Sequence, residues 1–265
     1  MDRLSLLRPL SLLLPLLLPL LLSLALPLCA HAAEVHVAVA ANFAGPMARM
    51  AQDFTAATGH KLKLSSGATG RFYAQIVAGA PFDVLLAADD ETPARLVREG
   101  HAVAGTDFPY AIGRLVLWSA QPGLVDDQGA VLARLDWKHL AIANPRTAPY
   151  GRAAMQVLKA RGLDPAAAGR VVTGESIAQT YQFVFTRNAD LGFVALSQVQ
   201  WPGQAVVGSQ WLVPASLHGE ILQSAVLLKA GAKNPAAAAL LAWLKGDVAR
   251  AVMQAHGYGQ PGTAR

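Results

Sequence analysis

The sequence predicts an α/β protein, and three observations carry that prediction. Strand-like apolar runs recur along the chain, each leading through a short loop of small residues into a helix-like stretch. Within each unit the apolar period changes from that of a strand to that of a helix. The unit appears four or more times, which is the grammar of sheets covered by helices. In such sheets the loops beyond the carboxyl ends of the strands converge on a crevice. Each following helix turns its N-terminal amides toward that crevice, which favours an anion there.

The first unit is "EVHVAVAANFAGPMARMAQDFTAATG". A strand over Val35–Ala40 gives way to Phe43, Met47, Met50 and Phe54, spaced as one helix face, with Asn42 at the junction as an N-cap and Gly59 as the stop. "KLKLS" is the next strand. "SSGATG", residues 65–70, then leads into a helix with Phe72, Ile76, Tyr73 and Val77 as its stripe. Gly67 and Gly70 allow close backbone approach, and Ser65, Ser66 and Thr69 offer hydroxyls, so the loop reads either as a plain turn or as a ligand seat. "FDVLLAADD" is a buried strand ending in acids, followed by a helix over Thr92–Glu99.

Farther on, "RLVLWSA" and "HLAIANP" are strands, and "TAPYGRAAMQVLKARG" becomes helical around Gly151. "RVVTGESIAQTYQFVFTRNAD" gives strand, loop and a helix with Ile177, Tyr181, Val184 and Phe185 inward. "LGFVALSQV" and "SAVLLKAG" are strands. Two alanine-rich helices divided near Gly246–Asp247 follow the latter.

Residues 1–32 read as a signal peptide: Arg3 and Arg8, a leucine-dominated core broken by Pro15, Pro19 and Pro27, and an A-x-A exit at Ala30 and Ala32. Leu28 before Cys29 argues against a lipoprotein. Export is the expectation. Cleavage removes the single cysteine, which excludes disulfides, a cysteine nucleophile and a thiolate metal site. The full-chain net charge of +5 becomes +4, without a dense Lys/Arg block, so nucleic acid is not an expected partner. Some 230 remaining residues suffice for a large packed core.

The residues of chemistry are scattered. No H-E-x-x-H or other close histidine pair suggests zinc, and no direct protein–metal ligation is expected. "GESIA" at 174–178 lacks the second glycine of a nucleophile elbow. Asp83, Asp89, Asp90 and Glu91 read as caps of the following helix, with a cation site or a catalytic carboxylate pair as the alternative. No GxxxxGK[ST] or GxGxxG is present, and no catalytic residue is assigned.

In order along the chain, "VAVAANFAGPM", "SSGATGRFYAQI", "GAPFDVLLAADDE", "IANPRTAPYGRAA" and "GESIAQTYQFV" resemble the periplasmic molybdate-binding proteins of ABC transporters, over nearly all of residues 34–258. The resemblance implies a two-lobed α/β Venus-flytrap fold with discontinuous lobes joined by crossing strands. Lobe 1 is expected over 34–112 plus 214–258, lobe 2 over 113–213 and a C-terminal tail over 259–265. It implies a non-enzymatic protein, without cofactor, that carries molybdate or tungstate to a membrane permease and works as a monomer. The implied binding residues are Asn42, where many relatives have Ser, and Thr69, where relatives generally have Ser. Ala148 and Tyr150 of "APYG" follow, then Ile177 through its backbone N–H. Many relatives carry a further tyrosine where this chain has Ala195 in "GFVAL", and Tyr150 is the expected replacement donor. Sulfate or another small oxyanion is the runner-up ligand. An exported hydrolase built on the 83–91 acids and a lectin-like or peptide-binding module are the readings from other classes.

Overall fold

The computed structural model describes residues 32–164 and 169–262. The expected signal peptide, apart from Ala32, and the last three residues of the tail lie outside the described residues. Among the described residues, no helix is long and apolar enough to cross a membrane.

Two five-stranded sheets organise the chain into two lobes. The first sheet contains β1 (Glu34–Ala40), β2 (Lys61–Gly67), β3 (Val84–Leu86), β4 (Phe108–Gly113) and β10 (Ile221–Leu227), in the order β2-β1-β3-β10-β4. The second contains β5 (Leu115–Ser119), β6 (Leu140–Ala143), β7 (Val171–Gly174), β8 (Leu191–Ala195) and β9 (Ser209–Leu212), in the order β7-β6-β8-β5-β9. Both follow one plan. Three parallel strands lie side by side, and antiparallel pairing begins at β10 in one sheet and at β5 in the other.

The period-2 alternation of the strands supplies both faces of each sheet. Val35, Val37 and Val39 pack on Phe43, Met47, Met50 and Phe54 of the first helical segment, beneath α8 (Pro235–Leu244) and α9 (Asp247–Ala255). Ala38 and Leu85 face the other way, onto Phe72 and Ile76 of α2 (Thr69–Val77) and Leu96 of α3 (Glu91–Arg98). In the second lobe, Leu115, Leu117 and Ile142 share a core with α4 (Val131–Arg134) and α5 (Pro149–Ala160), while Val116, Trp118 and Ala141 pack on α6 (Ile177–Phe185) and α7 (Leu196–Val199). Burying each such Val, Leu, Ile, Phe or Met is worth roughly 1.5–3 kcal/mol before conformational entropy is subtracted.

Several local expectations change: Val77 is 42% exposed, and "LGFVALSQV" is strand only to Ala195 before turning helical at Leu196. Asn42 does not cap a helix; it sits inside a 3-10 turn, Ala41–Phe43, that precedes α1 (Ala44–Thr58). Its amide is drawn instead into a buried network. Ser65 and Ser66 belong to β2, and the cap position of α2 is Ala68, which has no side-chain donor or acceptor. Phe185 is 55% exposed rather than inward, because Trp118 stacks on Tyr181 and Tyr181 stacks in turn on Phe185.

The chain passes from the first sheet to the second at Arg114, between β4 and β5, and returns between Leu212 and Ile221. The lobes meet tightly. Gly70 N–H donates to the Thr147 carbonyl at 2.9 Å, and Ser197 Oγ donates to the Asn42 carbonyl at 2.8 Å. Two ion pairs, Arg71–Glu175 and Arg152–Asp89 (2.8 Å), also join elements of one sheet to elements of the other.

Candidate ligand-binding site

The five sequence-designated residues come together. Asn42, Thr69, Ala148, Tyr150 and Ile177 line one small cavity, with Ala40, Ala41, Gly67, Ala68, Ala88 and Pro149 completing its wall. The wall contains no Lys, Arg, His, Asp or Glu. Four helical N-termini deliver the five residues: the 3-10 turn before α1, then α2, α5 and α6. The first N–H groups of a helix have no intrahelical acceptor, and the helix dipole makes such an end electropositive.

Local hydrogen bonding decides which donors remain available. Thr69 Oγ1 accepts the Ala88 N–H at 3.0 Å, which leaves the Thr69 hydroxyl proton unspent. At α5, Ala148 N–H donates to the Asn144 carbonyl at 2.9 Å and Pro149 has no N–H, so Ala148 contributes wall and Tyr150 the first-turn amide. At α6, Ser176 Oγ accepts from Gln179 N–H and Gln179 Oε1 from Glu175 N–H. The amide of Ile177, just past the cap, takes part in neither bond, and Ile177 lines the cavity. Gly151 lets α5 start this close to β6: a Cβ there would lie 2.2 Å from the Ala143 carbonyl oxygen.

Behind the cavity lies a network that the motifs did not reveal. Asn42 Nδ2 is 3.0 Å from both Gln223 Oε1 and Tyr258 Oη. Tyr110 Oη is 3.0 Å from Gln223 Oε1, and Gln223 Nε2 is 3.1 Å from Tyr150 Oη. Gln223 is fully buried in β10, beside the register shift between Gln223 and Ser224 that bends its pairing with β4. Gly113 makes room for the contact, since a Cβ there would lie 2.2 Å from Tyr150 Oη. Burial pushes the hydroxyls of Tyr110, Tyr150 and Tyr258 well above the usual tyrosine range, so all three keep their protons at neutral pH. The available signal in the sequence is the single amide in "EILQSAVLL", a polar residue within an apolar strand.

Of the acids at 83–91, Asp83 and Asp89 are held in structural contacts, while Asp90, at the cap position of α3, makes no side-chain cap bond. Asp89 accepts Thr92 N–H at 3.1 Å at the start of α3 and pairs with Arg152, while Asp83 accepts His36 N–H at 2.7 Å. Among the described residues, no group of three or more His, Cys, Asp or Glu is placed to hold a metal ion. Trp137 and Trp211 are buried outside the cavity wall, and Trp201 packs edge-on against His256.

Known proteins are similar to this chain over most of its length. The family model "Bacterial extracellular solute-binding protein" matches residues 35–259. The molybdate-binding protein ModA of Azotobacter vinelandii is 59% identical over 230 residues, 87% of this chain and 91% of that protein. ModA of Rhodobacter capsulatus is 49% identical over 231 residues, 87% and 90% of the two chains. The solved Azotobacter vinelandii periplasmic molybdate-binding protein superposes with a TM-score of 0.84 at 44% identity, covering 86% of this chain and 99% of that one. The chain therefore belongs to the bacterial extracellular solute-binding protein family, in the group of the molybdate-binding ModA proteins.

Proposed function

We propose that this protein captures molybdate or tungstate in the periplasm and delivers it to an ABC permease, with residues 1–32 as the signal peptide that exports it. The observation that carries the reading is the convergence of four helical N-termini on a wall without a charged side chain. A dehydrated dianion needs a nearly complete shell of donors, and backbone amides with hydroxyl and amide side chains supply one without a counter-charge. In this reading Thr69 donates its hydroxyl, the first turns of α2, α5 and α6 donate backbone N–H groups at Thr69, Tyr150 and Ile177, and Ala148 closes the wall. Asn42 provides the remaining side-chain donor, with the Tyr150 hydroxyl tied to it through Gln223. An oxyanion that is fully deprotonated at neutral pH suits a shell of donors, whereas a protonated phosphate brings an O–H that needs an acceptor. Sulfate is separated only by size.

The lobes are proposed to divide at 34–112 plus 214–258 and 113–213, with the crossings at Arg114 and 213–220 as hinges. The ligand then favours closure by taking hydrogen bonds from both lobes at once, and the closed monomer is the form that docks on the permease. No bond is made or broken.

Calorimetric titration of the mature protein with molybdate, tungstate, sulfate and phosphate tests the assignment. Tight binding of the first two and weak binding of the others is expected. Tight sulfate binding with millimolar molybdate binding would move the ligand to sulfate, and steady hydrolysis by pure protein would return the enzyme reading.

A further inference from the structure

We infer that Gln223 is a positioning residue of the anion site: by turning together with Asn42 it hands the Asn42 amide N–H groups to the anion and holds the Tyr150 hydroxyl for itself. The inference rests on the oxyanion reading of the cavity.

The buried heavy atoms admit two hydrogen-bond arrangements, related by turning the Asn42 and Gln223 side-chain amides through 180°. In the first, Asn42 Nδ2 donates to Gln223 Oε1 and to Tyr258 Oη, and Gln223 Nε2 donates to Tyr150 Oη. This leaves Asn42 Oδ1, on a residue only 2% exposed, without any donor. It also sets the one proton of Tyr110 between two acceptors, Gln223 Oε1 at 3.0 Å and the Ala87 carbonyl at 3.1 Å.

In the second arrangement both defects vanish. Gln223 Nε2 donates to Asn42 Oδ1 and to Tyr110 Oη, freeing the Tyr110 proton for Ala87. Tyr258 donates to Asn42 Oδ1 while Ser197 serves the Asn42 carbonyl, and Tyr150 donates to Gln223 Oε1. What remains unpartnered is no longer an acceptor but the Asn42 amide N–H pair, on a residue that lines the cavity. An anion satisfies leftover donors and cannot satisfy a leftover acceptor. Turning only one amide would set two like atoms 3.0 Å apart, so the turns are coupled. Anion binding therefore selects the second arrangement, and Gln223 links Asn42 to Tyr150.

The test is molybdate titration of four proteins beside wild type. Tyr150→Phe is expected to weaken binding by about 3-fold at most, because its hydroxyl partner is Gln223, whereas Asn42→Ala should weaken it by about 10- to 150-fold. Gln223→Glu substitutes an ionised carboxylate that only accepts. It takes the N–H groups of Asn42 and the hydroxyl of Tyr150, so binding at pH 8 should fall by about 100-fold or more. Burial raises a carboxyl pKa, so lowering the pH to 6.5 should protonate Glu and restore much of the affinity, while wild type stays flat. The titratable groups around position 223 are Tyr110, Tyr150 and Tyr258, all protonated over this range, and Asp89, which is paired with Arg152.

The double variant separates positioning from simple charge repulsion. With Asn42 already turned away by Glu at position 223, adding Asn42→Ala at pH 8 should cost nothing further. Additive losses would overturn the inference, as would a loss of 10-fold or more in Tyr150→Phe, a variant that keeps the ring packing and so tests the idea even if the buried Glu prevents folding. If wild type binds none of molybdate, tungstate or sulfate, the oxyanion reading falls and takes this inference with it. If wild type binds and Tyr150→Phe loses 10-fold, only the inference falls.

Discussion

The two walls of the cavity are built differently. The first-lobe wall holds the side-chain donors, Thr69 and Asn42, each fixed by partners within the protein: Ala88 N–H for Thr69, and Gln223 and Tyr258 for Asn42. The second-lobe wall presents helix starts at Ala148, Tyr150 and Ile177, whose side chains are apolar or engaged elsewhere. In the proposed reading, one wall thus recognises the anion by side chain and the other by backbone. Substitutions that delete a polar atom should therefore act mainly on the first wall, and only changes that move the backbone should act strongly on the second.

The sharpest break in that comparison is Thr69→Val. It keeps the shape and deletes the hydroxyl that accepts from Ala88 and is proposed to donate to the anion. A hydrogen bond to a charged, buried partner is worth roughly 1.5–3 kcal/mol, so molybdate affinity should fall about 10- to 150-fold by calorimetry. An unchanged affinity would place the recognising donors elsewhere.

The matching change on the second wall must act through the backbone. Gly151→Ala sets a Cβ 2.2 Å from the Ala143 carbonyl oxygen and 3.0 Å from Pro145 N, neither of which is a flexible side-chain end. Relief requires the start of α5 to move off β6, at a cost of about 1–3 kcal/mol. Denaturant unfolding of ligand-free protein should show that loss, and affinity should fall with it because the Tyr150 amide moves. Loss of stability with unchanged affinity would mean that the second wall does not hold the anion.

A smaller effect sharpens how the walls are held together. Arg71–Glu175 and Arg152–Asp89 bridge the lobes, but both arginines are about half exposed, and pairs of that kind contribute roughly 0.2–1 kcal/mol. Arg71→Ala should weaken binding by no more than about 5-fold, and the difference from wild type should shrink in 0.5 M salt, where screening is strong. A larger, salt-independent loss would assign Arg71 to the site itself.

How far the sequence could be read follows the same division. The strand–loop–helix units were legible because the apolar period changes within each of them, whereas the five cavity residues came from the resemblance of the ordered motifs to the molybdate-binding proteins. The two-lobed plan was implied by the ordered motifs. The network around Gln223 was not legible, because it joins Asn42, Tyr110, Tyr150, Ser197, Gln223 and Tyr258 across most of the chain, and no local pattern links them. Asn42 shows the cost of local reasoning: an Asn before a helix reads as a cap, but here long-range partners take the amide. Phe185 failed for a related reason, since helical spacing cannot show that Tyr181 already fills the space over Trp118.

The mildest change tests the backbone wall most directly. Ile177 begins α6, is 4% exposed, and has no polar side-chain atom to offer. Ile177→Val removes one methylene from a buried position, and Ile→Val changes typically cost about 0.5–1.5 kcal/mol of stability. That loss should appear in unfolding of the ligand-free protein. Molybdate affinity should stay within about 2-fold of wild type, because the N–H stays where the Ser176 cap and the Gln179 bond to Glu175 set it. The helix-start donor would be disturbed instead by Ser176→Ala, which removes the cap and typically costs about 1 kcal/mol of helix stability. If Ile177→Val weakened binding more than Ser176→Ala, the side chain at 177 would be the contact, and the second wall would recognise by shape rather than by backbone.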